Sequence, residues 1–159
     1  MKTNTQTFSS TFQLVSKEKV SLTELKEAHV FFLEKIIPEI ELHFLLVSQQ
    51  CSPIDKKMVE SYLLKFKQFS VTLHDHILME ELYVFPFLEG KSMPAVKEVI
   101  LNFLAHHDDF EKQFHYFVEE LVASLSNLED LMAFRMLALK LNRLNEKLIE
   151  HSIIEENLF

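Results

Sequence analysis

The chain has 159 residues, 48% of them hydrophobic, and carries a formal net charge of −8, with 16 Lys and Arg against 24 Asp and Glu. Without any basic block, it has no electrostatic footprint for nucleic acid, and its single cysteine, Cys51, excludes an intramolecular disulfide or a cysteine-cluster metal site. One Gly and four Pro leave few helix breakers, so the composition points to one all-α domain large enough for a sizeable core.

Residues 1–20, "MKTNTQTFSSTFQLVSKEKV", are polar, lack the apolar core of a signal peptide and read as a flexible N-terminal arm. No apolar run approaches the roughly 18 residues that span a bilayer, and the expectation is a soluble cytoplasmic protein with no membrane partner. Four serines then mark helix starts within residues 21–159. "SLTE" at 21–24 fits a capping box, in which the Ser hydroxyl and the Glu carboxylate satisfy orphan N–H groups reciprocally. "SPID" at 52–55 puts Pro53 in a first turn and Asp55 near the positive helix end. "KSMP" at 91–94 follows Gly90, a left-handed stop for the preceding helix, and "SNLE" at 126–129 is a second capping-box pattern. The predicted helices cover about 22–50, 53–89, 93–124 and 127–158, each on the order of 45 Å long at about 1.5 Å per residue. Their short connections favour an up-down-up-down antiparallel four-helix bundle, and Pro38 interrupts the first helix.

Each helix carries an apolar stripe stepping by three and four. The first begins Leu22, Leu25, His29, Phe32, Ile36, and the second runs Tyr62, Phe66, Phe69, Leu73, His76, Glu80, Tyr83, Phe87. The third reads Met93, Val96, Ile100, Phe103, His107, Phe110, Phe114, Phe117, Leu121. The fourth reads Phe134, Leu137, Leu141, Leu144, Leu148, His151, Glu155, Leu158. Only His and Glu interrupt these seams.

Two carboxylates buried without compensation would cost several kcal/mol each, and a shared cation is an economical compensation. In an up-down-up-down bundle, His29, Glu80, His107 and His151 fall near one end. His43 lies two heptads further on, about 21 Å away. The candidate ligands are therefore His29, His76, Glu80, His107, His151 and Glu155. Imidazole with carboxylate suits iron, manganese or zinc, and carboxylates can bridge two ions. Six such side chains exceed the need of one tetrahedral zinc and suit a dinuclear centre bridged by Glu80 and Glu155. Positions would stay open for water, an oxo group, dioxygen or nitric oxide. His106 is the alternative to His107, and His74, about 200° around the helix from His76, is expected to be exposed or an outer partner of the ligands. His115 and Glu119 form a helix-surface pair. Glu111, beside the stripe, takes an outer or surface role. Glu81 and Glu156 either hydrogen-bond ligating imidazoles or lie on a solvated face.

"HILMEELYVFP" (76–86) and "HSIIEENLF" (151–159) resemble the two His–Glu signatures of hemerythrin-like HHE cation-binding domains. "AHHDDFEKQF" (105–114) is similar to that family's third-helix histidine segment and "EAHVFFLEKIIPE" (27–39) to its first-helix ligand followed by a proline. The likeness spans about residues 22–159 and looks nearest to the di-iron domain of iron–sulfur cluster repair proteins. It implies two iron ions with an oxo or hydroxo bridge, Mn or Zn being substitutes. It implies a role in nitrosative or oxidative stress, a small ligand such as O2 or NO, iron–sulfur proteins as partners, and a monomer or homodimer. The competing expectation is an oxygen or nitric oxide carrier or sensor without turnover. The chain departs from the pattern in three places. No cysteine-containing domain precedes the bundle within this sequence, Phe103 and Glu111 flank His107 where oxygen carriers have an H-x-x-x-H pair, and Phe159 arrives one residue early in the last motif. A ferritin-like site would need E-x-x-H on two helices, and no histidine here has Glu three residues before it. No zincin H-E-x-x-H, nucleophile elbow or P-loop occurs either.

Overall fold

A computed structural model describes residues 21–91, 97–105 and 108–158. Among the described residues the chain is all-helical, with no strand. We designate the helical runs α1 (21–50), α2 (53–88), α3 (Lys97–Ala105), α4 (Asp108–Ser124) and α5 (Met132–Leu158). Residues 1–20, the expected N-terminal arm, lie outside the described residues, as do His106, His107 and the "SMP" of the third predicted helix start.

Two of the local signals, at Ser52 and at Gly90, act where the sequence places them. Ser52 caps α2, its Oγ accepting from the Asp55 N–H at 3.2 Å and donating to the Asp55 carboxylate at 2.7 Å. α2 ends at Gly90, whose φ of 73° is open to glycine without steric cost. There Gly90 N–H donates to the Phe87 carbonyl and Lys91 N–H to that of Pro86, the paired bonds of a Schellman stop. "SNLE" at 126–129 does not start the last helix. Ser126–Leu128 forms a 3-10 turn and α5 begins at Met132. The tight three-residue turn lets Leu125 and Leu128 both be buried, and that burial outweighs the capping signal.

Two π-helical turns are the main local departure, Phe31–Ile36 in α1 and Glu80–Val84 in α2. In each, the N–H of the residue just before a proline donates to a carbonyl five residues back: Ile37 to Phe32, and Phe85 to Glu80. Pro38 and Pro86 cannot donate, and in a regular helix their rings would collide with the carbonyl four residues back. Widening the preceding turn by one residue relieves the collision. The register of α2 shifts in consequence. Tyr83, expected on the seam, is 40% exposed, and Val84 and Phe85 are buried in its place.

Side-chain contacts fix which helices are neighbours. Lys26–Glu89, His29–Glu81 and Phe44–Phe66 join α1 to α2 in opposed directions. Tyr62–Ser124, Phe69–Phe114 and His76–Phe110 do the same for α2 and α4. His29–His151 and Glu39–Lys140 join α1 to α5. The Lys140 ammonium donates to Glu39 at 2.6 Å and holds that carboxyl below its ordinary value.

The core is divided in two. A large apolar cluster runs from Phe32 through Phe44, Phe66, Phe114 and Leu137 to Leu148. A smaller one gathers Leu22, Leu25, Val84, Phe85 and Ile100, with Ile154 and Leu158 packed on it. On α1, His29 stands between Leu25 of the small cluster and Phe32 of the large one. On α2, Glu80 stands between Ile77 and Val84, and on α5, His151 between Leu148 and Ile154. A polar layer therefore separates the two apolar bodies. No helix among the described residues is long and apolar enough to cross a membrane.

Candidate metal centre

The polar layer holds four nearly inaccessible groups: His29, Glu80 and Glu155 at 1% exposure and His151 at 5%. Two histidines and two glutamates this deep must satisfy one another or share a cation. Their geometry is convergent. His29 Nε2 lies 2.8 Å from Glu80 Oε2 and 2.9 Å from His151 Nε2, and His151 Nε2 lies 3.6 Å from the same Glu80 oxygen. Three ligands on one ion, at about 2.0–2.2 Å from it and about 90–110° apart, stand about 2.8–3.6 Å from one another. The three atoms fit that spacing.

Glu80 also turns its other oxygen to a second set. Its Oε1 lies 2.5 Å from His76 Nε2, and His76, Glu80 and Glu155 offer donor atoms within 4.8 Å of one another. The carboxylate of Glu80 thus belongs to two donor groups, His29–Glu80–His151 and His76–Glu80–Glu155. These groups could hold a metal ion. Their donors are imidazole nitrogens and carboxylate oxygens without a thiolate, a set suited to iron, manganese or zinc. Glu155, expected as a second bridge, joins only the second group, and its Oε1 meets His151 at Nδ1, 3.5 Å away, instead of Nε2.

The π-helical turn of α2 sets a further contact. Glu81 Oε1 lies 2.8 Å from His29 Nδ1, so consecutive glutamates of one turn grip both nitrogens of one imidazole across a helix interface. With a metal on Nε2, Nδ1–H would donate to Glu81, so that this contact would hold the ring with its Nε2 lone pair toward the ion. Glu81 is 43% exposed on its side chain, which is why its sequence position reads equally well as a solvated face. Glu156 is exposed. Glu81→Ala is expected to lower metal affinity about 10–100-fold while Glu156→Ala leaves it unchanged, both read by titration of the apo-protein with Co(II). Equal affinities in the two variants would remove the orienting role.

Aromatic rings line the layer. Phe85 stacks on His29 at 5.4 Å between centroids, Phe32 faces His151 at 5.7 Å, and Phe103 and Phe110 flank His76 at 4.9 and 5.8 Å. Phe103 therefore packs on a candidate ligand. Apolar walls exclude water and strengthen every electrostatic contact inside them.

The remaining sequence candidates fall as follows. Five of the six proposed ligands, His29, His76, Glu80, His151 and Glu155, come together in the two donor groups. The sixth, His107, lies outside the described residues together with its alternative His106. His74 is exposed beside Asp75, and His115 pairs with Glu119 at 3.2 Å on the surface of α4. His43 turns onto its own helix, donating from Nδ1 to the Glu39 carbonyl at 2.7 Å. Glu111 is half-buried and lines a small cavity with His76 and His151. Cys51 lies at the α1–α2 turn, where burial pushes its thiol up and disfavours the thiolate that nucleophilic chemistry would need. Comparison with protein-family models, with curated proteins and with solved structures found no match for this chain.

Proposed function

We propose that the chain is a hemerythrin-like, non-haem di-iron protein with an up-down-up-down four-helix bundle, acting in nitrosative or oxidative stress or in iron–sulfur cluster repair. The observation that carries this reading is the placement of Glu80, whose Oε2 faces the buried His29 and His151 and whose Oε1 faces the half-buried His76. A bridging carboxylate between two N/O-ligated sites is what a dinuclear centre requires. His29 and His151 would hold one ion with Glu80, and His76 and Glu155 the other. His107 is proposed as the remaining ligand from its slot in the third stripe.

A carboxylate-bridged iron pair supplies adjacent redox-active Lewis acids for a diatomic ligand such as O2 or NO. The chain's own residues do the rest. With a metal on Nε2, Glu81 would hold His29 in the Nδ1–H tautomer, and Phe32, Phe85, Phe103 and Phe110 pack against the imidazole rings of the donors. A second reading, an O2 or NO carrier or sensor without turnover, is favoured by the same aromatic walls, since a water-excluding site protects a reversibly bound gas.

Iron quantification with an absorption spectrum, on protein reconstituted anaerobically with Fe(II), tests the metal claim. The expected content is about two ions per chain, as a carboxylate-bridged centre requires; well under one ion per chain would sink it. Transfer of iron to an apo iron–sulfur protein would favour repair, and reversible spectral change with O2 or NO would favour carriage. His76→Ala is expected to lower the iron content, whereas His43→Ala leaves it intact because that ring is engaged with the Glu39 carbonyl. Loss of iron in the His43 variant would overturn the assignment of the centre to one end of the helices.

A further inference from the structure

A buried centre needs a path by which its ion arrives. Resting on the metal-binding reading above, we propose that the cleft between α1 and α5 is the route by which divalent cations reach the donors. The cleft has a volume of about 600 Å3, and its lining includes Glu24, Glu27, Phe31, Glu150, Ile154 and the buried His151. A hexahydrated divalent ion occupies roughly 200 Å3, at about 30 Å3 per water, less than the volume of the cleft. A cavity touching His151 and His76 from the α2–α4 side, lined also by Phe110 and Glu111, holds about 10 Å3. That is at most the room of one water. Size favours the α1–α5 cleft over that cavity.

Charge acts in the same direction. Glu150 accepts from Lys147 at 2.6 Å, so that pair nearly cancels, and Glu24 and Glu27 outweigh the one guanidinium of Arg143, 5.2 Å over the Phe31 ring, to give the cleft its negative sign. Both are exposed and stand three residues apart on one face of α1. A cleft of one sign with low-dielectric walls concentrates counter-ions and raises their on-rate, an effect that salt screens. Further in, Ala28, Phe31 and Ile154 offer an arriving cation no side-chain donor, so it is not held before His151.

The test is anaerobic stopped-flow uptake of Co(II) by the full-length apo-protein, with the final Co(II) content measured separately. Glu24→Gln with Glu27→Gln is expected to slow uptake roughly 3–30-fold at low ionic strength and to flatten its salt dependence, leaving the final content unchanged. Ile153→Trp, an exposed position of the cleft wall, is expected to slow uptake at every ionic strength. Glu119→Gln, on the exposed face of α4, serves as the charge control and keeps the wild-type rate. Wild-type rates and salt dependence in the double variant and in Ile153→Trp, at full final occupancy, overturn the route alone. A wild-type chain that takes up no Co(II) overturns the route and the metal-centre reading together.

Discussion

On the proposed two-ion reading, alanine at position 80 is expected to remove both ions from the centre at once. Glu80 is the one residue common to the two donor groups, with Oε2 at 2.8 Å from His29 and Oε1 at 2.5 Å from His76. In the proposed centre its deletion would take an anionic ligand from each ion and remove charge that offsets their mutual repulsion. The affinity loss should exceed the roughly 10–100-fold typical of an outer partner such as Glu81. Glu155→Ala should act more locally, since Glu155 belongs to the His76 group only. Metal analysis and anaerobic Co(II) titration of the two variants measure this, with circular dichroism verifying that helix content is retained. Glu80→Gln, which keeps the volume and one oxygen ligand, should retain more metal than Glu80→Ala. One ion held at wild-type affinity in Glu80→Ala would show that the groups are independent and that Glu80 is no bridge.

The largest effect on stability is expected at Phe66. Its ring is fully buried and meets Phe44 of α1, Phe69 of its own helix and Phe117 of α4, with centroids 5.7, 6.2 and 6.4 Å apart. Truncation to alanine removes packing between three helices and leaves a cavity, at a cost of about 3–5 kcal/mol. For a domain of this length about 1 kcal/mol corresponds to about 2–4 °C, so the Tm of the apo-protein should fall by roughly 10 °C. Leu64→Ala, an exposed position two residues earlier, should stay within about 0.5 kcal/mol of wild type. Phe66 is 14 residues from Glu80, about 21 Å along the helix, so metal content at low temperature should survive the change. Urea and thermal unfolding of the apo-proteins decide it: a loss below about 1 kcal/mol at Phe66 would mean that the large apolar cluster relaxes to fill the space.

The candidate site was legible to the extent that it follows from periodicity. His and Glu in seam slots are visible as interruptions of apolar stripes, and His29, Glu80, His151 and Glu155 are all buried where the stripes put them. The α5 stripe from Phe134 to Glu155 is buried throughout. Short-range chemistry was equally legible at Ser52 and at Gly90, because a cap or a left-handed stop involves only the adjacent turn. The expected start of the last helix was not. The "SNLE" pattern competes with burial of Leu125 and Leu128, which depends on the neighbouring helices. His74 and His76 stand two residues apart in one run, and periodicity alone separates the exposed ring from the half-buried one at the donors.

By itself the sequence determined the helical class, the apolar seams ahead of Glu80 in α2 and along α5, and the identity of the residues that break them, because these depend on spacing along a single helix. Tertiary structure decided the rest. It turned the two oxygens of Glu80 toward different donor sets, set Glu81 against the far nitrogen of His29, and moved the seam from Tyr83 to Val84. Each of these depends on the π-helical turn ahead of Pro86, or on which side chain of another helix stands opposite. A proline shows in the sequence that a helical hydrogen bond is lost. Only packing against the neighbouring helices determines whether the chain answers with a kink, a break or a widened turn.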